Sequence, residues 1–90
     1  MRIDKFLYFA RLTKTRSAAQ ALVAAGHLRL DGKRIERDAQ PVAAGQVLTL
    51  MHQGQIKALR ILAMPVRRGP PIEAAACLED ANVSHQPLFD

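Results

Sequence analysis

The sequence predicts an α+β fold in which two N-terminal helices pack on one side of a small antiparallel sheet, with a short C-terminal helix. Three observations support this fold class. Apolar residues recur at helical spacing near the N-terminus, the period changes to two after Gly26, and Asp31-Gly32 is a strong two-residue hairpin signal. Ninety residues suffice for one such domain with helices on one face of the sheet.

The first helix is predicted from four apolar residues spaced at i, i+3, i+4 and i+7. These residues, which would share one buried face, are Ile3, Phe6, Leu7 and Ala10. Asp4 in the first turn suits the helix dipole. The polar residues 11–14 then end the helix.

The second helix is predicted to begin near Thr15 or Ser17. Ser17 and Gln20 form a capping-box pattern, and Thr15 is an equally plausible N-cap. Gly26 supplies the left-handed residue that commonly follows the last helical turn. The expected apolar stripe of this helix consists of Ala18, Ala21, Leu22 and Ala25.

Four strands are predicted after Gly26. Leu28 and Leu30 alternate with polar residues, and the chain returns from the Asp31-Gly32 turn along residues 33–35. Residues 47–50 and 56–63 form two further strands, separated by a turn around residue 54.

The chain is predicted to divide after residue 65. Residues 1–65 form the domain described above, and residues 66–71 read as a kinked linker because of their glycine and two prolines. An alanine-rich stretch predicts one short helix over residues 72–81. Residues 82–90 are predicted to be a frayed acidic tail.

Charge is distributed unevenly along the chain. Residues 1–68 carry all thirteen lysines and arginines and only four acids, a net charge of +9. Residues 69–90 carry the other four acids and no lysine or arginine. A basic domain of this kind favours a polyanionic partner, and a soluble protein that is merely basic is the plain alternative.

The composition also indicates the compartment. Cys77 is the only cysteine, which excludes an internal disulfide and suits a reducing cytoplasm. The N-terminus lacks the apolar core of a signal peptide, and no apolar run approaches the roughly 18 residues of a membrane span. We therefore expect a cytoplasmic protein without a membrane partner.

No residue pattern indicates catalysis. The three histidines, His27, His52 and His85, lack metal-ligand spacing, and the glycines are isolated turn residues rather than a phosphate-binding loop. A general acid–base pair stays open but has no support. We expect no enzyme, no cofactor, no metal and no small-molecule substrate.

The candidate binding site is a basic surface formed by the first 37 residues. Lys14 and Arg16 flank the start of the second helix, where backbone N–H groups and the helix dipole favour a phosphate. Arg29 and Lys33 bracket the hairpin and are expected to face the same ligand from the sheet side. The predicted RNA-binding residues are Arg2, Lys5, Arg11, Lys14, Thr15, Arg16, Ser17, Gln20, Arg29 and Lys33.

Asp4 is left out of this predicted site. A carboxylate in a basic patch would repel RNA, so we interpret Asp4 as a cap or as an internal partner of a nearby arginine, for which Arg16 is one candidate. Few aromatic residues are available for stacking, which favours structured RNA over a single strand.

Three stretches and one arginine between them carry a family pattern. They are Arg2-Ile3-Asp4-Lys5-Phe6-Leu7, then Arg11, then Lys14-Thr15-Arg16-Ser17-Ala18-Ala19-Gln20, then Gly26-His27-Leu28-Arg29-Leu30-Asp31-Gly32-Lys33. They resemble the RNA-binding domain first seen in ribosomal protein four of the small subunit, also called the alpha-L motif. The resemblance covers about residues 1–50.

Within that superfamily the chain is most similar to the ribosome-associated fifteen-kilodalton heat-shock protein family. The likeness lies in Lys14-Thr15-Arg16 and in Arg67-Arg68-Gly69-Pro70-Pro71-Ile72-Glu73-Ala74-Ala75. It implies binding to ribosomal RNA of the large subunit, rescue of free large subunits that still hold a peptidyl-tRNA, and no catalysis. The chain departs from that family at Asp31, where asparagine is usual, at Tyr8, where tryptophan is common, and in lacking a basic C-terminal extension.

Two other functions stay open. The same domain could be the RNA-targeting accessory subunit of a separate RNA-modifying enzyme, or it could bind duplex DNA or another protein. The free protein is expected to be a monomer.

Overall fold

The computed structural model describes residues 1–52 and 54–81. In chain order the elements are α1 (Ile3–Phe9), α2 (Arg16–Ala24), β1 (Leu28–Leu30), β2 (Lys33–Arg34), β3 (Val47–His52), β4 (Gln55–Ile61), α3 (Pro71–Ala75) and β5 (Leu78–Asp80). All strand pairings are antiparallel, and the strand order is β2-β1-β3-β4-β5. The predicted α+β fold class is confirmed.

The hydrophobic core lies between the two N-terminal helices and one face of the sheet. The predicted apolar face of α1 is confirmed, because all four of its residues are buried. Leu28 and Leu30 of β1 and Leu48 and Leu50 of β3 are buried against it. The full core consists of Ile3, Phe6, Leu7, Ala10, Ala19, Val23, Leu28, Leu30, Ile35, Val42, Leu48, Leu50 and Ile61.

Thr15 is the N-cap of helix α2, and its hydroxyl accepts a hydrogen bond from the backbone N–H of Ala18 at 3.0 Å. This N-cap decides between the two residues that the sequence allowed, since Ser17 lies inside the helix. Gly26 has a φ of +75°, so the predicted left-handed residue after the helix is also confirmed.

The predicted apolar stripe of α2 was wrong. The buried residues are Ala19 and Val23, and only Leu22 of the expected set is partly buried. The other three, Ala18, Ala21 and Ala25, are exposed. Burying the Val23 side chain removes more apolar surface from water than burying an alanine does. Helix α2 therefore packs with Ala19 and Val23 towards the core.

The Asp31-Gly32 hairpin is confirmed, with φ angles of +50° and +85° at its two central residues. The Asp31 side chain also accepts a hydrogen bond from the backbone N–H of Val47 at 2.8 Å. The turn is therefore tied directly to the neighbouring strand β3.

The structure corrects the prediction for residues 72–81. The helix there ends at Ala75, and Leu78–Asp80 form β5, which pairs with β4. The alanine-rich composition favours a helix locally, but Leu78 packs against the core and the edge of β4 offers unpaired backbone groups. The sheet thus continues beyond the predicted division at residue 65. The predicted frayed tail lies outside the described residues.

Candidate nucleic-acid interface

Three residues of the predicted site, Arg2, Arg16 and Gln20, are gathered around Asp4. Its side chain is fully buried at the start of α1 and accepts hydrogen bonds from three side chains. Arg2 donates through two nitrogens at 2.6 and 3.0 Å, Arg16 donates at 3.3 Å, and Gln20 donates at 3.0 Å. We call these four residues the Asp4 cluster.

The ionisation of Asp4 follows from these contacts. Burial raises its pKa, but hydrogen bonds from Arg2, Gln20 and Arg16 and from the backbone N–H of Lys5 outweigh that effect. The pKa of Asp4 falls from 3.8 to about 2. The carboxylate is thus charged at neutral pH, and the interpretation of Asp4 as an internal partner of Arg16 is confirmed.

The cluster presents two guanidinium groups to solvent. The side chains of Arg2 and Arg16 are each 44% exposed, whereas Asp4 is inaccessible. A guanidinium has five N–H groups, and Asp4 engages only some of them. The remaining donors of both arginines are therefore held in place and available to an anion.

The start of α2 lies next to this cluster. Lys14, Thr15 and Ser17 are exposed there, so a ligand can reach them. The Thr15 hydroxyl is already engaged as the N-cap, so its role is structural at least in part. Thr13 further fixes the loop before α2 by donating to the carbonyl oxygen of Thr15 at 2.9 Å.

The aromatic rings near this surface are paired with cations. The Lys5 ammonium lies 5.3 Å from the centre of the Phe9 ring, and the Arg68 guanidinium lies 4.5 Å from the centre of the Tyr8 ring. Phe6 is fully buried. These three rings are thus engaged within the described chain rather than open for base stacking.

Arg68 joins the surface from the C-terminal segment, and the sequence prediction missed it. Its guanidinium donates to the carbonyl oxygens of Tyr8 and Thr13, the latter at 3.0 Å. Arg11 has a φ of +61° and donates through Nε to the carbonyl oxygen of Gly69 at 2.6 Å. Only the motif Arg67-Arg68 in the predicted linker hinted at this contact.

Among the described contacts, neither cation of the hairpin touches the Asp4 cluster. Successive strand residues point to opposite faces, and Leu28 and Leu30 face the helices. Arg29 therefore lies on the open face of the sheet, with its register partners Arg34 and Thr49. Lys33, the partner of Leu30, lies on the helix face at the sheet edge.

We call Arg29 and Lys33 the hairpin cations. In contrast to Arg2 and Arg16, they have no acidic anchor among the described contacts. The one hydrogen bond described for Arg29 is donated to the carbonyl oxygen of Gly32 at 3.3 Å. The expectation that both residues face the ligand of the α2 start does not hold for Arg29, because it points to the opposite side of the sheet.

Comparison with known families identifies the domain. The family model of the S4 domain matches residues 1–48, which include both N-terminal helices, the hairpin and the whole Asp4 cluster. The chain belongs to the S4 domain family. The expected alpha-L motif is therefore confirmed, and with it an RNA-binding class of domain.

Ribosomal proteins are similar to this chain over about half of its length. The small ribosomal subunit protein uS4 of Listeria monocytogenes is 41% identical over 49 residues, which are 54% of this chain and 24% of that protein. The chain thus spans about a quarter of the length of the curated relatives it matches.

Solved structures match almost the whole S4 chain. The trimeric structure of heat shock protein 15 from Vibrio cholerae superposes with a TM-score of 0.86 at 29% identity, over 97% of this chain and 87% of that one. The solution structure of the hypothetical protein HP1423 gives 0.74 at 28% identity, over 89% and 95%. The likeness to the heat-shock protein family therefore extends past the S4 match into the C-terminal segment.

The described residues meet the requirements of neither a metal site nor a membrane-spanning helix. Within residues 1–52 and 54–81, no three His, Cys, Asp or Glu side chains are grouped in a way that could hold a metal ion. No helix in the same part of the chain has the length and apolar composition needed to cross a membrane.

Proposed function

We propose that this S4 chain docks structured ribosomal RNA through the Asp4 cluster and the start of α2. The Asp4 cluster carries the proposal, because a buried carboxylate holds Arg2 and Arg16 in place while each stays half-exposed. Positioned guanidiniums beside a helix N-terminus are well suited to bind RNA phosphates. The contributing residues are Arg2, Lys5, Arg11, Lys14, Thr15, Arg16, Ser17 and Gln20, with Lys33 at the margin.

The RNA is proposed to be mainly double-stranded at this surface. Lys5 and Arg68 lie against the rings of Phe9 and Tyr8, which leaves little opportunity for bases to stack there. An A-form duplex offers phosphates and 2′-hydroxyls rather than readable major-groove edges. Recognition by shape and charge is therefore the mode that this surface favours.

The large ribosomal subunit is the proposed partner, and the protein acts there as a heat-shock or rescue factor for stalled subunits. The likeness to heat shock protein 15 over 97% of the chain supports this role. The match to the small-subunit protein uS4 covers only 24% of that protein, so it supports the domain more than the partner. A cytoplasmic location follows from a ribosomal partner.

We propose no catalytic activity, since the families matched are RNA-binding rather than enzymatic. The free chain is proposed to be a monomer, although the Vibrio cholerae structure is trimeric. Light scattering at micromolar concentration separates these states. Competition by duplex DNA at equal affinity would contradict the preference for RNA.

Sedimentation with purified ribosomal subunits tests the partner. We expect the protein to sediment with large subunits, and more so when they hold a peptidyl-tRNA. Lys14→Ala with Arg16→Ala should weaken this binding at least about tenfold, while the matched pair Lys57→Ala with Arg67→Ala should not. Equal sedimentation with small subunits would contradict the proposed partner.

A further inference from the structure

A groove beside the start of α2 is lined from two distant parts of the chain. The loop from α1 to α2 contributes Arg11, Leu12 and Lys14, helix α2 contributes Ala18 and Leu22, and the C-terminal segment contributes Arg68. We call it the loop groove. Because Arg68 lies beyond the S4 match at residues 1–48, the groove is not a feature of that domain alone.

Arg68 is fixed in this groove by three contacts. It donates to the carbonyl oxygens of Tyr8 and Thr13, and its guanidinium lies 4.5 Å from the centre of the Tyr8 ring. The carbonyl groups carry no net charge, so they hold the guanidinium without neutralising it. Arg68 therefore keeps its full positive charge at the groove.

Arg11 is fixed in a similar way. It adopts a left-handed φ of +61°, which is uncommon for a residue other than glycine and costs free energy. Its Nε donates to the carbonyl oxygen of Gly69, which is buried beside Arg68. The strained backbone thus places a second positive charge at the groove, again anchored on a neutral oxygen.

The chemistry of the lining indicates an anion with an apolar part. Arg11, Lys14 and Arg68 supply three positive charges, and none of the groove's lining residues within 1–52 and 54–81 is a carboxylate. Leu12, Ala18 and Leu22 supply a patch of apolar surface between them. A phosphate suits the cations, and the face of a nucleobase suits the apolar patch.

We propose that the loop groove takes up one unpaired nucleotide of the bound RNA, with its phosphate on Arg11, Lys14 and Arg68 and its base against Leu12, Ala18 and Leu22. The proposal rests on the RNA-binding function proposed above and deepens it. The preferred RNA is then a duplex interrupted by a bulge or a junction rather than a continuous helix.

Two RNA hairpins that differ by one bulged nucleotide test the groove. We expect wild-type protein to bind the bulged hairpin about tenfold more tightly than the paired one, the effect of one added charge-assisted contact. Ala18→Leu fills the groove without changing charge and should remove the preference while leaving affinity for the paired hairpin unchanged. Ala21→Leu, at an exposed position on the same helix outside the groove, should keep the preference.

Arg68→Gln and Arg67→Gln form a second matched pair. The two substitutions each remove one positive charge, and they do so at adjacent positions. Arg67, however, does not line the groove, and its guanidinium forms an ion pair with Glu73 at an N–O distance of 2.7 Å. Only Arg68→Gln should reduce the preference for the bulge. Thermal unfolding of each variant shows whether a change in affinity follows from loss of fold.

The outcomes separate this proposal from the function on which it rests. Equal affinity of wild-type protein for both hairpins would overturn the groove proposal and leave RNA binding intact. Loss of the preference in both leucine variants would overturn it as well. Absence of binding to either hairpin would overturn the proposed function too. Displacement of the bulged RNA by an aspartate-rich peptide, from wild-type but not from Ala18→Leu protein, would make the groove a protein-binding site and contradict the proposal.

Discussion

The Asp4 cluster and the hairpin cations are both basic parts of the same S4 domain, but they are held very differently. In the Asp4 cluster, a buried carboxylate binds two arginines and a glutamine. The one side-chain hydrogen bond described for the hairpin cations joins Arg29 to its own turn. A guanidinium that is already held in place loses less side-chain conformational entropy when it binds RNA than a free one does. Equal charges in the two regions are therefore expected to contribute unequally to RNA affinity.

Asp4→Asn should have the largest effect. Replacing a buried carboxylate that binds two arginines removes its charge and is expected to destabilise the fold by about 2–4 kcal/mol. It also releases Arg2 and Arg16, so RNA affinity should fall even at a temperature where the variant is folded. Chemical denaturation measures the first effect, and the exposed substitution Glu36→Gln is the control. Equal stability of the two variants would contradict the role of Asp4.

Acid unfolding should report the same residue. The folded pKa of Asp4 is about 2 and lies below its ordinary value of 3.8. The group therefore stabilises the fold fully above pH 3.8, and this contribution is lost as the pH falls from about 3.8 towards 2. Denaturation of wild-type protein and Asp4→Asn over the range from about pH 6 down to about pH 2 measures this loss. A gap in stability that does not narrow in acid would be inconsistent with this assignment.

Lys14→Ala combined with Arg16→Ala should reduce RNA affinity at least about tenfold, because two cations beside the helix start are lost. The fold should persist, since Arg2 and Gln20 still engage Asp4. Fluorescence anisotropy with a labelled hairpin RNA measures the affinity. Unchanged affinity would show that the start of α2 is not the binding site.

Thr15→Ala should cost about 1 kcal/mol of stability, because it removes the hydroxyl that caps α2. Ser17→Ala, two residues further on and inside the first turn of α2, should leave stability nearly unchanged. Thermal unfolding of the two variants compares them directly. A larger loss in Ser17→Ala would mean that Ser17 rather than Thr15 is the cap in solution.

Arg29→Ala combined with Lys33→Ala should have the smallest effect, a loss of less than about threefold in RNA affinity, since these exposed cations act only through screened charge. The same anisotropy measurement applies. A loss as large as that of the Lys14 and Arg16 pair would show that the hairpin cations belong to the main interface.

The features that the sequence predicted well depend on neighbours in the chain. The buried face of α1 follows from the spacing of Ile3, Phe6 and Leu7, and the hairpin follows from Asp31-Gly32. The pairing of Asp4 with Arg16 could also be predicted from the sequence, because a lone carboxylate among cations needs a partner. The position of Arg29 could have been predicted from the alternation of Leu28 and Leu30.

The features that were missed depend on residues far apart in sequence. Strand β5 forms because the edge of β4 and the core select a strand over a local helix. Arg68 donates to the carbonyl oxygens of Tyr8 and Thr13, which lie 60 and 55 positions earlier in the chain. No local pattern indicates contacts at such a separation. The buried face of α2 depends on Val23 meeting the sheet, so it was set by packing rather than by alanine spacing.

The salt dependence of RNA affinity tests the central claim most directly. The claim is that phosphates bind at the Asp4 cluster and the start of α2 rather than at the hairpin. A plot of log Kd against log salt concentration should be steep for wild-type protein, and its slope should fall by about two for Lys14→Ala with Arg16→Ala. The slope should stay close to the wild-type value for Arg29→Ala with Lys33→Ala. A flat wild-type plot, or equal loss of slope in both double variants, would contradict the claim.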